Sequence, residues 1–213
     1  MARLLIIETA TEALSTALFD DGRLVARHHE VAGRGHAEKL IPAIANMPDG
    51  GHATEIWVDR GPGSFTGVRI GIAAARGLAY AWGAQLRSYS SLPLVAAMAA
   101  DNPAAAQKEI VVAMTGGHGE LFWQRFDAGA RSVLSPLTST PTGELAVLID
   151  TPTIYGTGAQ ALVDARGFGT AVEIHPDASL TPLLPLSFLG NDPAPLYGRG
   201  ADAKPAHTTG APS

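Results

Sequence analysis

Two carboxylates follow predicted strands in the first half of the chain. Glu8 ends one apolar run, and Asp59 ends another. Carboxylates in such positions could hold a magnesium ion beside the phosphates of a nucleotide. Glu8 could also be a strand-terminal residue bonded to the neighbouring hairpin. We favour a degenerate nucleotide cleft, because the sequence lacks a Gly-x-x-x-x-Gly-Lys-Ser/Thr loop that would hold phosphates.

A glycine-rich segment, residues 61–64, directly precedes the most regular helical pattern in the chain. Its peptide N–H groups and the start of the helix could bind an anion. Alternatively, Ser64 caps the helix and the glycines permit a tight turn from strand to helix. We favour the structural interpretation, because the loop contains no basic side chain. The candidate cleft residues are Glu8, Thr9, Gly61, Gly63 and Ser64.

The histidines do not follow the spacing of a metal site. A helical zinc pair needs two histidines four residues apart, but the residue four positions after His36 is Leu40. His28 and His29 are adjacent in a predicted strand and therefore point to opposite faces. The chain has no cysteine, which excludes disulfides, thiolate catalysis and Cys-ligated zinc. We predict no metal site and no catalytic residue, and a metalloprotease is disfavoured.

The predicted helix over residues 65–82 has two distinct faces. The apolar face has residues at spacings of three and four, which is typical of a helix packed on a core: Phe65, Val68, Ile72, Ala75, Ala79 and Trp82. Gly67, Gly71 and Ala74 form a second face of small residues. Each of the glycines Gly67, Gly71 and Gly77 costs about 1 kcal/mol relative to Ala inside a helix. A close contact should offset that cost, and we predict that another helix approaches the small-residue face.

The same helix carries two exposed cations, Arg69 and Arg76, on one side. Such a pair usually lies on a solvated stripe, but beside a small-residue face it could meet carboxylates of a partner helix. His36 is then interpreted as a helix-start or interface residue. The predicted subunit interface comprises His36, Leu40, Gly67, Arg69, Ile70, Gly71, Ala74 and Leu78.

Strands and helices alternate around these residues. Strands are predicted over residues 3–7, 14–19, from 23, 56–58, 86–89, 110–114, 121–126, 153–155 and 172–174. Asp20-Asp21-Gly22 is predicted as the turn between the second and third strands. Helices are predicted from His36, over residues 65–82, from Ser91 as N-cap, and over residues 160–165. A long irregular stretch separates the strand 121–126 from the strand 153–155. We predict a first lobe over residues 1–100, a reduced second lobe over residues 101–198 and a tail over residues 199–213 that lacks core contacts.

Composition excludes several classes of protein. The chain is 46% hydrophobic and carries a formal net charge of −5, with most Lys and Arg scattered. It therefore lacks the basic footprint that grips a phosphate backbone, and a partner must hold any nucleic acid. The first apolar run is too short for a signal sequence, and no run approaches the ~20 residues of a membrane span. A cytoplasmic protein that does not contact membranes is expected.

Two strings together resemble a known family. They are Ile6-Ile7-Glu8-Thr9-Ala10-Thr11-Glu12 and Gly61-Pro62-Gly63-Ser64-Phe65-Thr66-Gly67-Val68-Arg69-Ile70-Gly71. The chain resembles the TsaB family, the non-catalytic partner subunits of the bacterial machinery that places threonylcarbamoyl on an adenosine of tRNA. Further similarity lies in Leu40-Ile41-Pro42, Gly119-Glu120-Leu121-Phe122 and Pro195-Leu196-Tyr197-Gly198-Arg199. The resemblance is strong over residues 3–98 and patchy afterwards.

The resemblance implies an α/β fold of the actin-like, Hsp70-like and sugar-kinase-like (ribonuclease H-like) class, with two lobes and a reduced second lobe. It implies a scaffold that forms a homodimer, binds a TsaD-like catalytic subunit and a TsaE-like ATPase, and reaches tRNA only through that complex. It implies no cofactor, apart from a vestigial cleft with at most weak affinity for nucleotide.

The sequence departs from the family pattern in three places. Glu8 stands where the family usually has Asp, the segment between His36 and Gly61 is short, and Thr115-Gly116-Gly117 replaces a common Asp-Ala-Arg. One alternative is an ATP-dependent transferase of the same fold, with Glu8 and Asp59 holding magnesium. The other is the disfavoured metalloprotease.

Overall fold

The chain forms two five-stranded sheets in a computed structural model that describes residues 2–31, 33–101 and 108–198. The strands of sheet one are β1 (Arg3–Glu8), β2 (Ala13–Asp20), β3 (Arg23–Val31), β4 (Glu55–Asp59) and β5 (Gln85–Tyr89). The strands of sheet two are β6 (Glu109–Thr115), β7 (Glu120–Asp127), β8 (Thr138–Pro141), β9 (Thr153–Tyr155) and β10 (Thr170–Val172).

The two sheets repeat one topology. Sheet one has the order β3-β2-β1-β4-β5, and sheet two has the order β10-β9-β6-β7-β8. In each, the first three strands form an antiparallel meander, the fourth strand pairs in parallel with the first strand of that sheet, and the fifth pairs in parallel with the fourth. Parallel neighbours require crossover connections, which the helices supply. The predicted two-lobed α/β fold is confirmed.

In the part of the chain that the structure describes, five α-helices pack against the sheets. They are α1 (His36–Ala45), α2 (Phe65–Trp82), α3 (Ser91–Ala100), α4 (Thr142–Leu148) and α5 (Ala159–Arg166), and short 3-10 helices follow at Pro48–Gly51, Ala178–Leu183 and Leu186–Phe188. Among the described residues, no helix combines the length and apolar character needed to cross a membrane. Helices α1 and α2 pack on the outer face of sheet one, and α4 and α5 pack on the outer face of sheet two.

Helix α3 lies between the two sheets. Its apolar residues share one core cluster with Ile6 and Trp57 of sheet one and with Ile110 and Val112 of sheet two. Nearly all of α3 is buried, and a helix that is apolar all round is stable only in such a position. The lobes are therefore joined through a common layer.

Most predicted elements lie within two residues of their observed positions. The turn predicted at residues 20–22 is present, with φ of 46° at Asp21 and 79° at Gly22, and the predicted Ser64 cap accepts a hydrogen bond from the Gly67 N–H at 3.2 Å. Two expectations were wrong. The stretch thought irregular contains β8 and α4, and the N-cap of α3 is Ser90 rather than Ser91. The predicted tail over residues 199–213 lies outside the described residues.

After β10 the chain returns to the first lobe. The 3-10 helix Ala178–Leu183 packs on β1, β2 and α3. Further along, Ser88 of β5 and Gly190 exchange two backbone hydrogen bonds of 2.8 Å each. The end of the segment that we assigned to the second lobe thus contacts both lobes.

Two of the glycines in α2 face the lobe's own sheet. A Cβ atom at Gly67 would overlap the carbonyl oxygen of Thr9, and one at Gly71 would overlap the Thr9 hydroxyl. That hydroxyl donates a 2.8 Å hydrogen bond to the Gly67 carbonyl. The missing side chains let α2 rest on the end of β1, so the prediction that a partner helix uses Gly67 and Gly71 is corrected.

We expect Gly71→Ala to lower the free energy of unfolding by about 1–3 kcal/mol, because its Cβ overpacks the contact with Thr9. Gly77→Ala is the matched control in the same helix. Outside the backbone of α2 itself, no described atom lies within 4 Å of a Cβ built at Gly77, so this change should stabilise by about 1 kcal/mol through helix propensity. Urea denaturation measures both variants.

The double variant Thr9→Ala/Gly71→Ala tests the cause. Removing the Thr9 hydroxyl should recover part of the loss, which appears as a coupling energy in a double-mutant cycle. Additive effects, or a Gly71→Ala variant as stable as Gly77→Ala, would contradict the packing argument.

Candidate functional site

A cleft of about 1360 Å³ opens between the lobes. The first lobe contributes the turn after β1, the loop before α1 and the first turns of α2. The second lobe contributes the turn between β6 and β7, and residues 196–198 line the cleft at its mouth. A concave site between two lobes is a common place for a ligand. A predicted cleft residue could contact such a ligand only if it lines this cleft.

The five predicted cleft residues differ in whether they line the cleft. Gly63 and Ser64 line the cleft, whereas Glu8, Thr9 and Gly61 are buried and do not line it. Glu8 and Asp59 meet inside the first lobe, beneath the loop that carries Gly61. The carboxylate pair of the magnesium hypothesis therefore exists, but it does not face the cleft.

Each carboxyl of the pair is fully buried and held by hydrogen bonds. Glu8 accepts from the Ala10 N–H at 2.8 Å and from the Tyr89 hydroxyl at 3.3 Å. Asp59 accepts from the Gly61 N–H at 2.7 Å and from the Ser91 hydroxyl at 2.5 Å. These donors come from the loop after β1, the loop after β4, β5 and the start of α3, so the pair ties four segments of the chain together.

The electrostatics of the pair favour a shared proton. Burial raises the pKa of Glu8 well above its ordinary value, and the neighbouring Asp59 charge raises it further. Burial also raises the pKa of Asp59, although less, because hydrogen bonds from Glu8, Ser91 and Gly61 stabilise its charged form. These directions favour a proton on Glu8, facing the Asp59 carboxylate.

This arrangement does not fit a magnesium nucleotide. Magnesium is bound by ionised carboxylates that reach its coordination sphere, together with the oxygens of the phosphates. Here both carboxyls are fully buried and absent from the cleft lining, and burial favours the protonated form of Glu8. Within residues 2–31, 33–101 and 108–198, no group of three or more His, Asp or Glu residues could hold a metal ion.

The glycine-rich loop is also occupied by internal contacts. The Ser64 N–H donates to the Ala10 carbonyl at 2.7 Å, and the Ser90 hydroxyl donates to the Gly61 carbonyl at 2.7 Å. A Cβ at Gly63 would overlap the Ala10 carbonyl. Gly61 has a φ of 95°, which glycine adopts without strain. These contacts support the structural interpretation of the loop.

The predicted interface residues fall into two groups. His36, Leu40, Gly67 and Gly71 are buried within the first lobe, and the His36 Nε2 lies 3.2 Å from the Ala13 carbonyl. Burial removes these four from a direct contact with another chain, which corrects their assignment. The others lie on the surface of α2, where Arg69 is exposed and Ile70, Ala74 and Leu78 are half-buried.

Sequence reasoning missed the environment of Arg69. Its guanidinium carbon lies 3.2 Å from the centre of the Phe65 ring, and its Nη2 donates to the Tyr197 hydroxyl at 2.6 Å. Tyr197 lies in the string Pro195–Arg199 that carried part of the family resemblance, so the signal was present in the sequence. Nothing in the pattern showed that this string meets α2.

Comparisons with known proteins agree with the geometry. The chain is 37% identical over 129 residues to the tRNA threonylcarbamoyladenosine biosynthesis protein TsaB of Escherichia coli, which covers 58% of this chain and 54% of that protein. It is 30% identical over 99 residues to TsaB of Bacillus subtilis, covering 44% and 43%. The chain thus spans about half the length of the curated relatives it matches.

A crystal structure from Pseudomonas aeruginosa, described as an uncharacterized protein with similarity to peptidase YEAZ, superposes with a TM-score of 0.76 at 26% identity. The superposition covers 93% of this chain and all of that one. The predicted resemblance to TsaB proteins is confirmed. A family model described as TsaD: tRNA N6-adenosine threonylcarbamoyltransferase matches residues 27–178. Since this match spans more than half of the chain, the protein belongs to that family, and within it the chain resembles the TsaB proteins.

Proposed function

We propose that this chain is a non-catalytic scaffold subunit in the biosynthesis of threonylcarbamoyladenosine in tRNA. In this proposal it forms a homodimer, binds a TsaD-like catalytic subunit and a TsaE-like ATPase, and contacts tRNA only within that complex in the cytoplasm. The similarity to TsaB proteins supports the pathway. The observation that carries the non-catalytic role is the burial of the Glu8–Asp59 pair, which does not line the cleft.

An actin-like enzyme needs ionised carboxylates at the cleft to position a metal and phosphates. In this chain Glu8 and Asp59, the acids of the magnesium hypothesis, are fully buried and accept hydrogen bonds from the Tyr89 and Ser91 hydroxyls. The charge pattern adds a second argument, because the net charge is −5 and most Lys and Arg are scattered, so the chain lacks the clustered cations that neutralise a phosphate backbone. Both features favour a scaffold that acts through partners.

The surface that we propose for these partners is the outer stripe of α2. Ile70, Ala74, Gly77 and Ala81 follow one another at spacings of four, three and four, and therefore share one side of the helix. A Cβ at Gly77 would meet open space, so no described contact offsets its cost of about 1 kcal/mol. Small residues on an outer helix face permit the close approach of another helix. The argument first made for Gly71 thus applies to Gly77.

An ATP-dependent transferase remains the second candidate, because the chain keeps a large interlobe cleft. Titration of the purified chain with magnesium and ATP separates the two functions. The scaffold proposal expects no binding at micromolar concentration and no turnover. Reconstitution with the cognate TsaD-like and TsaE-like proteins, tRNA and threonylcarbamoyl adenylate should give modified tRNA only when all proteins are present. Turnover by the chain alone would overturn the proposal.

Glu8→Gln should remove a pH dependence of stability. The raised pKa of Glu8 means that its contribution is fully present below the ordinary value of 4.5 and is lost as pH rises through the folded value. The raised pKa of Asp59 acts in the same direction. An amide at position 8 cannot ionise and still donates to Asp59. Between pH 4.5 and the folded pKa of Glu8, the free energy of unfolding of the wild type should therefore fall by about 1 kcal/mol per pH unit relative to that of this variant.

Thermal and urea unfolding at a series of pH values from about 4 to about 9 measures this difference, because a carboxyl with a raised pKa titrates within that range. Glu12→Gln is the matched control. Glu12 is exposed in the turn after β1, so this variant should show the same pH dependence of stability as the wild type. Parallel curves for Glu8→Gln and the wild type would contradict the shared proton. A rise in the wild-type Tm on adding magnesium and ATP that Glu8→Gln abolishes would instead support a metal site.

Gly77→Leu should weaken self-association and binding to the TsaD-like protein by at least about tenfold, equivalent to about 1.4 kcal/mol, while the monomer stays folded. The leucine blocks close helix approach on the outer stripe of α2. Gly143→Leu is the matched control, since Gly143 is an exposed glycine in α4 that also faces open space. Sedimentation and a pull-down measure both variants. Equal binding by the Gly77→Leu variant and the wild type would refute this surface.

A further inference from the structure

We propose that residues 195–198 form a strap that sets the angle between the two lobes at the mouth of the cleft. Releasing the strap would let the lobes open about the layer that α3 forms, without unfolding either one. The proposal rests on three sets of contacts, made by consecutive residues of one short segment. It does not depend on the proposed function.

The first contact fixes the strap to the loop after β4. The Leu196 N–H donates to the Arg60 carbonyl at 2.7 Å, and the Leu196 carbonyl lies against Gly61. Upstream, Gly190 pairs with Ser88 at the edge of β5, and the Ser88 hydroxyl donates to the Asp192 carbonyl at 2.6 Å. The segment therefore approaches the cleft along the first lobe and is anchored by backbone hydrogen bonds.

The second contact is a stack on the first turn of α2. The Arg69 guanidinium lies over the Phe65 ring and beside the Tyr197 ring, with its carbon 3.2 Å and 5.3 Å from their centres, and it donates to the Tyr197 hydroxyl at 2.6 Å. The two rings are 6.0 Å apart. Phe65 is 64% exposed and Tyr197 is 51% exposed, so water competes with this stack. Exposed cation–π contacts are weak, which makes this end of the strap the part that can release.

The third contact belongs to the other lobe. Gly198 lies so close to the Phe122 ring that a Cβ atom would overlap ring carbons. Phe122 is on β7 of sheet two and lines the cleft. Within three residues, the chain thus passes from the first lobe to the second. The strap closes the mouth, while α3 joins the lobes at their shared core, and two such connections fix the angle between the lobes.

Spin-label distances test the strap directly. The chain has no cysteine, so Glu38→Cys in α1 and Glu173→Cys in the second lobe place labels at exposed positions that line the cleft. Pulsed electron paramagnetic resonance measures the distance, with labelled protein diluted in unlabelled protein to suppress signals between molecules. The doubly labelled protein with the native strap should give one narrow distribution of distances between the labels.

Two variants each disrupt one contact of the strap. Tyr197→Ala removes the stack with Arg69, and Gly198→Ala forces the chain away from Phe122. Both should add a longer distance while the Tm stays close to that of the parent. Tyr80→Ala, at a position 93% exposed on the same helix, is the matched control and should change nothing. An unchanged distribution in either strap variant would overturn the proposal.

Discussion

A buried pair of carboxyls, Glu8 and Asp59, determines how the first lobe is put together. Two acids beside each other without water are stable only if one keeps its proton and donors satisfy the remaining oxygens. Here those donors come from β5, from the loops after β1 and β4, and from the first residue of α3. The ends of the strands and the start of the middle helix are therefore positioned by one hydrogen-bonded network. The network also explains why Glu8 and Asp59 are absent from the lining of the cleft.

The glycine-rich string and α2 extend this network outward. The Gly61 N–H bonds to Asp59, Ser64 bonds to the turn after β1, and Gly67 and Gly71 let α2 rest on Thr9. A motif that could have held phosphate is thus used to pack a helix against a strand end. Arg69 and Phe65 emerge from the same string on the solvent side, where Tyr197 meets them. One short sequence accordingly serves both the core and the surface.

Local chemistry made much of the fold predictable from the sequence. Apolar runs gave most of the strands of both sheets, the Asp21-Gly22 pair gave the hairpin, and Ser64 gave the cap of α2. The elements that were missed, β8 and α4, are short; β8 consists of Thr, Ser and Pro and α4 begins with Thr-Gly, so their order comes from packing on β7 and α5. For the site, the sequence identified Glu8 and Asp59 but not that they face each other. Similarly, the spacing of Gly67 and Gly71 indicated a close contact without revealing which segment supplies it, because periodicity defines a helix face and not its neighbour.

The shared position of α3 affects how the protein folds. A separated first lobe would expose the side of α3 that packs on Ile110 and Val112, and a separated second lobe would lose the apolar surface that covers its sheet. Neither half has a complete core of its own, so the two should unfold in a single cooperative transition despite their similar topologies. During synthesis, sheet one and α3 are made before sheet two. The nascent chain must therefore carry an uncovered apolar helix until β6 and β7 arrive, an interval in which the chain is vulnerable to aggregation.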